Sequence, residues 1–374
     1  MAKPRLIVLW RNFGPYHYGR LNALRRHFDA QGIQIVAKTG KHLWRVEGED
    51  TGIVHNLFET DEQATSPLKV SVALWRALSK INPEILLIPS YSPYPAWVCL
   101  LWGLLHRKTR LLMTESNEFD APRRPRAELF KKLLVRFYSG GVVGGTTARK
   151  YLESLGMAGA RIVEGYDCVD GDAYERAAAQ ARADEAGSRR ALNLPEKYFV
   201  CPARLVPEKN HKRLIEAFRR FRETPEGAGF RLLLCGTGPE DAAIREQLST
   251  SKVEGVEMRG FVQMEDMAAL YAYATAMVLP SLVEAWGLVV NEALACGTPI
   301  LVSNRAGSSF DLVNERVGRT FSPEDVDQIV DSMIWVVRNS SSLNQKDREE
   351  MAHRFTLIKW GGNVADLFKK ISNP

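Results

Sequence analysis

Val278-Leu-Pro-Ser-Leu-Val-Glu-Ala-Trp-Gly-Leu-Val-Val-Asn-Glu-Ala-Leu-Ala-Cys-Gly-Thr-Pro299 decides how this chain folds. Its opening residues close an apolar run, Ala276 to Leu279, that reads as a buried strand ending at Pro280 and Ser281. A helix then starts near Gly287 and stops at Gly297, with Pro299 behind it. Glu284 therefore belongs to the loop entering the helix, and Glu292 faces the same mouth from the helix itself. The N–H groups of Gly287 and Leu288 lack partners inside the helix, and a helix start favours an anion such as phosphate. A glutamate cannot hold phosphate, but its paired oxygens suit two neighbouring sugar hydroxyls. Carboxylates flanking a phosphate cradle point to a nucleotide sugar. Two solvated acids on an ordinary helix are the alternative reading of the same spacing.

Strand followed by helix recurs on both sides of this stretch. In the N-terminal half, strands are expected at Arg5 to Trp10, Gln34 to Ala37, Ile85 to Ile88, Arg110 to Met113 and Gly141 to Val143. The helix after the first strand is expected to run to about Gln31. The second half repeats the pattern at Phe199 to Ala203, Arg231 to Cys235, Val256 to Arg259, Ala276 to Leu279 and Pro299 to Val302. Such alternation gives α/β domains with parallel sheets covered on both faces, and ligands bind beyond the strand C-terminal ends. With 374 residues, two domains are the natural expectation.

A second informative stretch is Phe199-Val-Cys-Pro-Ala-Arg-Leu-Val-Pro-Glu-Lys-Asn-His-Lys-Arg-Leu-Ile-Glu-Ala-Phe218, where Arg204 and Lys209 sit in the loop between strand and helix. Cations placed where a leaving diphosphate gains charge lower the barrier, one such contact often by about 3 kcal/mol. Two solvated loop cations are the plainer alternative. Lys212 and Arg213 read as helix-surface charges.

Together these motifs resemble the signature of the large retaining GT-B-type glycosyltransferases (family 4, glycosyl transferases group 1), which include sucrose and mannosyl transferases. The resemblance is strong from about residue 196 to 323 and looser in the N-terminal half. It implies a GT-B fold: two Rossmann-like doubly wound domains facing a central cleft, with a C-terminal helix, roughly Leu357 to Ile371, crossing back to the first domain. The boundaries then fall at residues 1–166, an interdomain connection at 167–197 rich in Ala, Arg and Asp, a nucleotide-sugar domain at 198–355, and the returning helix at 356–374.

The resemblance also implies roles. Arg204 and Lys209 would stabilise the leaving diphosphate, and Glu284 would hold donor-sugar hydroxyls and help orient the leaving group. A covalent role for Glu284 is the minor alternative, because retention in this family is described without a protein nucleophile. Glu292 would bind the ribose. Gly236 and Gly238 of Leu232-Leu-Leu-Cys-Gly-Thr-Gly-Pro239 match the glycine loop beside the nucleotide. Gly260, Phe261 and Val262 match the segment whose backbone reads the base. Gly287 and Leu288 would hold phosphate. On the acceptor side, Gly14 stands where relatives carry a Gly-Gly turn, and would let the backbone approach the donor diphosphate. His17 is a candidate acid/base, with a structural hydrogen bond at a helix start as its alternative. Glu115 stands at the right kind of strand edge, near a point where many relatives place a histidine.

Composition narrows the class. The net charge of +6 and the 45% apolar content fit a soluble globular protein with a phosphate-bearing substrate or a lipid surface as partner. No nucleic-acid-binding signature is present. The five cysteines are scattered without metal spacing, which fits buried thiols in a reducing compartment. The N-terminus lacks a signal-peptide pattern, so the expected location is cytoplasmic, with a peripheral position at the inner membrane face as the alternative should the basic helix at Arg123 to Tyr138 meet lipid. Trp97 to Leu105 reads as a buried helix, too short to span a bilayer. Arg123 to Tyr138 places an apolar stripe on one helix face and basic residues mostly on the other, suited either to an anionic membrane or to core packing. Asp170-Gly-Asp172 has a metal-binding form but lies in the expected connection and reads better as a turn. No cofactor or metal is expected.

The function expected is metal-independent, retaining transfer of a sugar from a UDP- or GDP-sugar to a glycan or lipid-linked acceptor. A nucleotide-sugar epimerase of similar fold and a catalytically silent nucleotide-sugar-binding protein are the alternatives.

Overall fold

The computed structural model describes residues 2–38, 51–61, 63, 66–91 and 94–372. Its chain divides into two compact units, Met1–Val169 with Phe355–Pro374, and Asp170–Arg354.

The first unit runs β1 (Arg5–Trp10), α1 (Pro15–Arg25), β2 (Asp29–Lys38), β3 (Val54–Thr60), α2 (Pro67–Ile81), β4 (Ile85–Pro89) and α3 (Tyr94–Leu105). It continues through β5 (Thr109–Thr114), α4 (Pro125–Val135), β6 (Gly140–Val143), α5 (Thr146–Ser154) and β7 (Ile162–Glu164). All its strands are parallel, in the order β3-β2-β1-β4-β5-β6-β7. The interior strands are nearly continuous apolar runs because both of their faces are covered. Ile7 and Leu9 join a core built with α2, α3, α4 and α5. Leu6 and Val8 point the opposite way, as the two-residue period requires.

The second unit contains α6 (Gly171–Ala183), α7 (Glu185–Ala191), β8 (Tyr198–Pro202), α8 (His211–Arg222), β9 (Arg231–Cys235), α9 (Asp241–Thr250), β10 (Val256–Gly260) and α10 (Met264–Tyr273). After these come β11 (Ala276–Leu279), α11 (Leu288–Ala295), β12 (Ile300–Ser303), α12 (Ser309–Leu312), β13 (Gly318–Phe321), α13 (Val326–Arg338) and α14 (Gln345–Ala352). Its six strands are also parallel, in the order β10-β9-β8-β11-β12-β13. The chain then returns to the first unit as α15 (Leu357–Ser372), which packs on α1. Gly361 permits the close crossing, since a Cβ there would lie 2.7 Å from the Ala23 carbonyl oxygen.

Two doubly wound parallel sheets with a returning C-terminal helix match the expected fold class, and four details differ. The first helix ends at Arg25 rather than near Gln31, because Asp29 already pairs with Arg5 in the sheet. Residues 170–191, expected within a connection, form α6 and α7 of the second unit. Alanine is the best helix former and lets α6 pack closely on α10, with Ala178 and Ala181 buried and Arg182 donating to the Cys296 carbonyl at 2.6 Å. Helix α3 is not wholly buried: Trp97, Leu101 and Leu105 form an exposed ridge, although Cys99, Leu100 and Trp102 enter the core. The stripe on α4 likewise faces outward, with Leu129, Phe130 and Leu133 exposed and Val135 its buried residue. No helix among the described residues is long and apolar enough to cross a membrane.

Candidate functional site

In the second unit β8 and β9 lead to β10 on one side, while β11 lies on the other side of β8. This reversal opens a crevice at the C-terminal ends of β8 and β11, the place where open α/β sheets bind ligands. Both glutamate and cation motifs fall there.

The loop after β8 is fastened to both neighbours. On one side the Ala203 N–H donates to the Cys235 carbonyl at 3.0 Å, Leu205 to Thr237 at 3.0 Å, and Glu240 back to Leu205 at 3.0 Å. Gly236 and Gly238 are required for this approach, since a Cβ would stand 2.0 Å from the Ala203 oxygen or 2.3 Å from the Leu205 oxygen. On the other side the Leu282 N–H donates to the Glu208 carbonyl at 2.8 Å. Buried Asn210 completes the seam: its Nδ2 donates to the Pro280 oxygen at 3.1 Å and the Pro323 oxygen at 2.7 Å. Its φ of 60° lies in the left-handed region that asparagine tolerates better than most residues. Arg213 donates to Asn210 Oδ1 at 2.9 Å, so it braces the seam and is not the plain surface charge expected.

This seam sets the charges. Lys209 Nζ forms an ion pair with Glu284 Oε2, each side chain 15% exposed. The Ser281 hydroxyl donates to the same oxygen at 3.2 Å. Arg204 stands exposed on the same loop as Lys209. The Glu284 carbonyl accepts from the Gly307 N–H at 3.2 Å, which ties the loop to the one after β12. Gly287 caps α11 at φ 95°, and a Cβ there would press 2.7 Å from Leu279 Cδ2. Glycine is needed for both reasons, and it brings the start of α11 close to Glu284, whose Cγ would lie 3.3 Å from a Cβ at Gly287. Next to Lys209, His211 is buried with neither ring nitrogen hydrogen-bonded. Burial, and then the charge of Lys209, pushes its pKa down to about 4.

Glu292 departs from expectation. Instead of lying open in the mouth it is 3% exposed, and the Tyr271 hydroxyl of α10 donates to its Oε2 at 2.8 Å. A ribose reaching this carboxylate would share it with Tyr271. Gly260 ends the edge strand β10 at φ 67°, with open space where a Cβ would be, so conformation alone calls for glycine. Phe261 and Val262 follow, half-buried.

The first unit places its candidates at its own strand ends. Gly14 is buried extended backbone preceding α1, and its N–H donates to His17 Nδ1 at 3.0 Å. That bond makes His17 a helix-start cap, with its ring edge-on to Trp10 at 4.7 Å. This is the helix-start hydrogen bond of the structural alternative for His17. Glu115, half-buried after β5, lies within electrostatic reach of Arg20 and Tyr166. Arg20 is itself buried, with Nη2 3.6 Å from Asp167 Oδ1 and the guanidinium 4.5 Å from the Tyr166 ring centre. Neither Arg20 nor Asp167 stood out in the sequence, because a lone arginine in a helix normally reads as surface. Asp170 accepts the Ala173 N–H at 3.0 Å and caps α6, so its place in Asp170-Gly-Asp172 has a structural cause.

Residues 184–355 match the family model of glycosyl transferases group 1. An exopolysaccharide phosphotransferase of Streptomyces coelicolor is 26% identical over 317 residues, 80% of this chain and 30% of that protein. A GDP-mannose-dependent monoacylated alpha-(1-6)-phosphatidylinositol monomannoside mannosyltransferase of Corynebacterium glutamicum is 28% identical over 160 residues, 40% of this chain and 41% of that protein. The alignments thus span well under half of these relatives' own lengths. Anabaena HepE, solved in complex with UDP, shares the fold with a TM-score of 0.73 at 14% identity, over 98% of this chain and 100% of that one. Residues 184–355 are thus similar to the glycosyl transferases group 1, and the chain as a whole has the GT-B fold.

Proposed function

We propose that this protein transfers a sugar, with retention and without a metal, from a UDP- or GDP-sugar to a glycan or lipid-linked acceptor in polysaccharide or cell-surface glycan synthesis. The observation that carries the reading is the Lys209–Glu284 pair on adjoining loops at the switch point, beside exposed Arg204. In this reading the donor diphosphate lies across the start of α11. Arg204 and Lys209 meet the charge that grows on its β-phosphate as the glycosyl bond breaks. Glu284 holds donor-sugar hydroxyls, and Glu292 with Tyr271 holds the ribose. Gly260 to Val262 contribute backbone contacts to the base. In the first unit, Glu115 is the acceptor-side candidate; His17 serves through its cap on the Gly14 turn. HepE with UDP and the GDP-mannose-dependent mannosyltransferase support the two donor classes.

The test is calorimetric titration with UDP and GDP, in the presence of chelator, on the wild type and on Glu292→Gln. Glutamine keeps the size of the side chain and its acceptor for Tyr271. One nucleotide is expected to bind without metal, and the variant to bind about tenfold or more weakly, as loss of a charged hydrogen bond implies. Equal affinities would remove Glu292 from the site, and binding abolished by chelator would overturn metal independence.

A second reading follows from the phosphotransferase likeness, which spans 80% of this chain. Transfer of a phosphosugar would use the same donor but break the other side of the phosphate. The released nucleotide separates the two: sugar transfer yields UDP or GDP, phosphosugar transfer UMP or GMP.

A further inference from the structure

In the first unit, α3 and α4 turn large apolar side chains toward solvent. On α3, Trp97, Leu101 and Leu105 repeat every four residues and make one exposed ridge, the last of them 65% exposed. On α4, Leu129, Phe130 and Leu133 occupy the outward arc, while Val135 enters the core. The Trp97 and Phe130 rings meet edge to face at 5.9 Å, so the two arcs form one continuous surface. Arcs this apolar on two adjacent surface helices exceed the scattered exposure usual for a monomer.

The border of the surface is basic. Arg107 follows the α3 ridge, and Arg126, Lys132 and Arg136 flank the α4 arc, all exposed. Among the described residues none of these four takes part in an ion pair, whereas Glu128, the acid within α4, is engaged by Lys131 and Arg123. A protein partner would be expected to bring acids in fixed register. An unpatterned negative charge over a yielding apolar layer is the chemistry of an anionic bilayer.

We infer that α3 and α4 dock the first unit on an anionic lipid bilayer, with the ridge and the outward arc entering the headgroup boundary and the basic border meeting lipid phosphates. Position strengthens the assignment. Each helix runs back along its parallel strand, so the first turn of α3, with Trp97, lies at the sheet edge where Glu115 follows β5. A lipid-linked acceptor held by the bilayer would present its headgroup at that edge. Its identity as substrate rests on the acceptor reading above; the contact with lipid does not.

The experiment is co-sedimentation of the full chain with vesicles of phosphatidylcholine alone or with phosphatidylglycerol. The expected result is binding to the anionic vesicles that weakens with salt, with a blue shift of tryptophan emission that Trp97→Phe diminishes. Leu101→Gln with Leu133→Gln should lower partitioning about tenfold per side chain. Lys132→Glu with Arg136→Glu should lower it at least about fivefold per residue. These side chains are exposed, so the fold should be unaffected, and UDP or GDP titration of each variant serves as the control. Sedimentation with neither vesicle, or equal sedimentation of wild type and both variants, would overturn the inference. So would a dimer in velocity sedimentation that the leucine variant dissolves, which would assign the surface to a second copy. Vesicle binding lost in the variants but no nucleotide binding would retain the surface and reject the donor reading; the reverse would do the opposite.

Discussion

Asn210 offers the sharpest test of how the site is assembled. Its side chain donates to the carbonyls of Pro280 and Pro323 at 3.1 and 2.7 Å, and its backbone is left-handed. Asn210→Ala removes both Nδ2 hydrogen bonds, at about 1.5 kcal/mol each, and leaves the Pro323 carbonyl with the longer donation from Arg213 Nη1 at 3.4 Å. Alanine also tolerates the left-handed conformation less well than asparagine, by about 1 kcal/mol. The expected loss is therefore about 4 kcal/mol, large for one substitution. Asn210→Gly loses the same hydrogen bonds without the steric term, so it should be about 1 kcal/mol more stable than the alanine variant. The assay is urea unfolding followed by circular dichroism, paired with nucleotide titration under conditions where each variant remains folded. Both variants should also bind UDP or GDP more than tenfold more weakly, because the loops carrying Lys209 and Glu284 lose their fastening. Wild-type stability in both variants would show that the seam does not depend on Asn210. Lost stability with unchanged affinity would separate the seam from the site and refute the reasoning.

Lys209→Ala should lower turnover by about a hundredfold, the effect of one lost transition-state cation, while thermal stability falls only modestly; parallel losses in both would mark a structural lysine. His211 supplies a pH dependence of stability. Its folded pKa of about 4 lies below the ordinary 6.5, so the unfolded chain binds the proton first and stability is lost as pH falls from about 6.5 to 4. The loss should approach about 3 kcal/mol, measured as the pH profile of urea unfolding, and His211→Leu should flatten that part of the profile.

Much of this was legible before any coordinates. Interior strands such as Ile85–Pro89 and Ala276–Leu279 announce themselves because burial on both faces demands unbroken apolar runs. The three strands not anticipated, β3, β7 and β13, are all sheet edges, where exposed faces break the run. The Val-His-Asn-Leu-Phe-Glu-Thr of β3 carries too little hydrophobic patterning to be separated from a loop. Residues 170–191 were misread because alanine-rich helices lack large apolar side chains, and their packing depends on a partner, α10, far along the chain. The outward apolar arc of α4 was visible as a stripe, but periodicity says only that the residues share a face and not whether that face is covered.

The same division runs through the site. Strand, loop and helix around Glu284, the placement of Arg204 and Lys209 after a strand, and the glycine positions follow from local chemistry: turns, caps and apolar runs are settled by neighbours along the chain. The pairing of Lys209 with Glu284, the seam through Asn210 and the burial of Glu292 under Tyr271 join residues 21 to 113 positions apart. Only the order of strands in the sheet brings those loops together, and that order reflects which packing buries the most apolar surface. Sequence alone determined the architecture and the chemical types at the strand ends. Tertiary structure decided which charges meet, because Coulomb and hydrogen-bond energies depend on distance and burial that no local pattern contains.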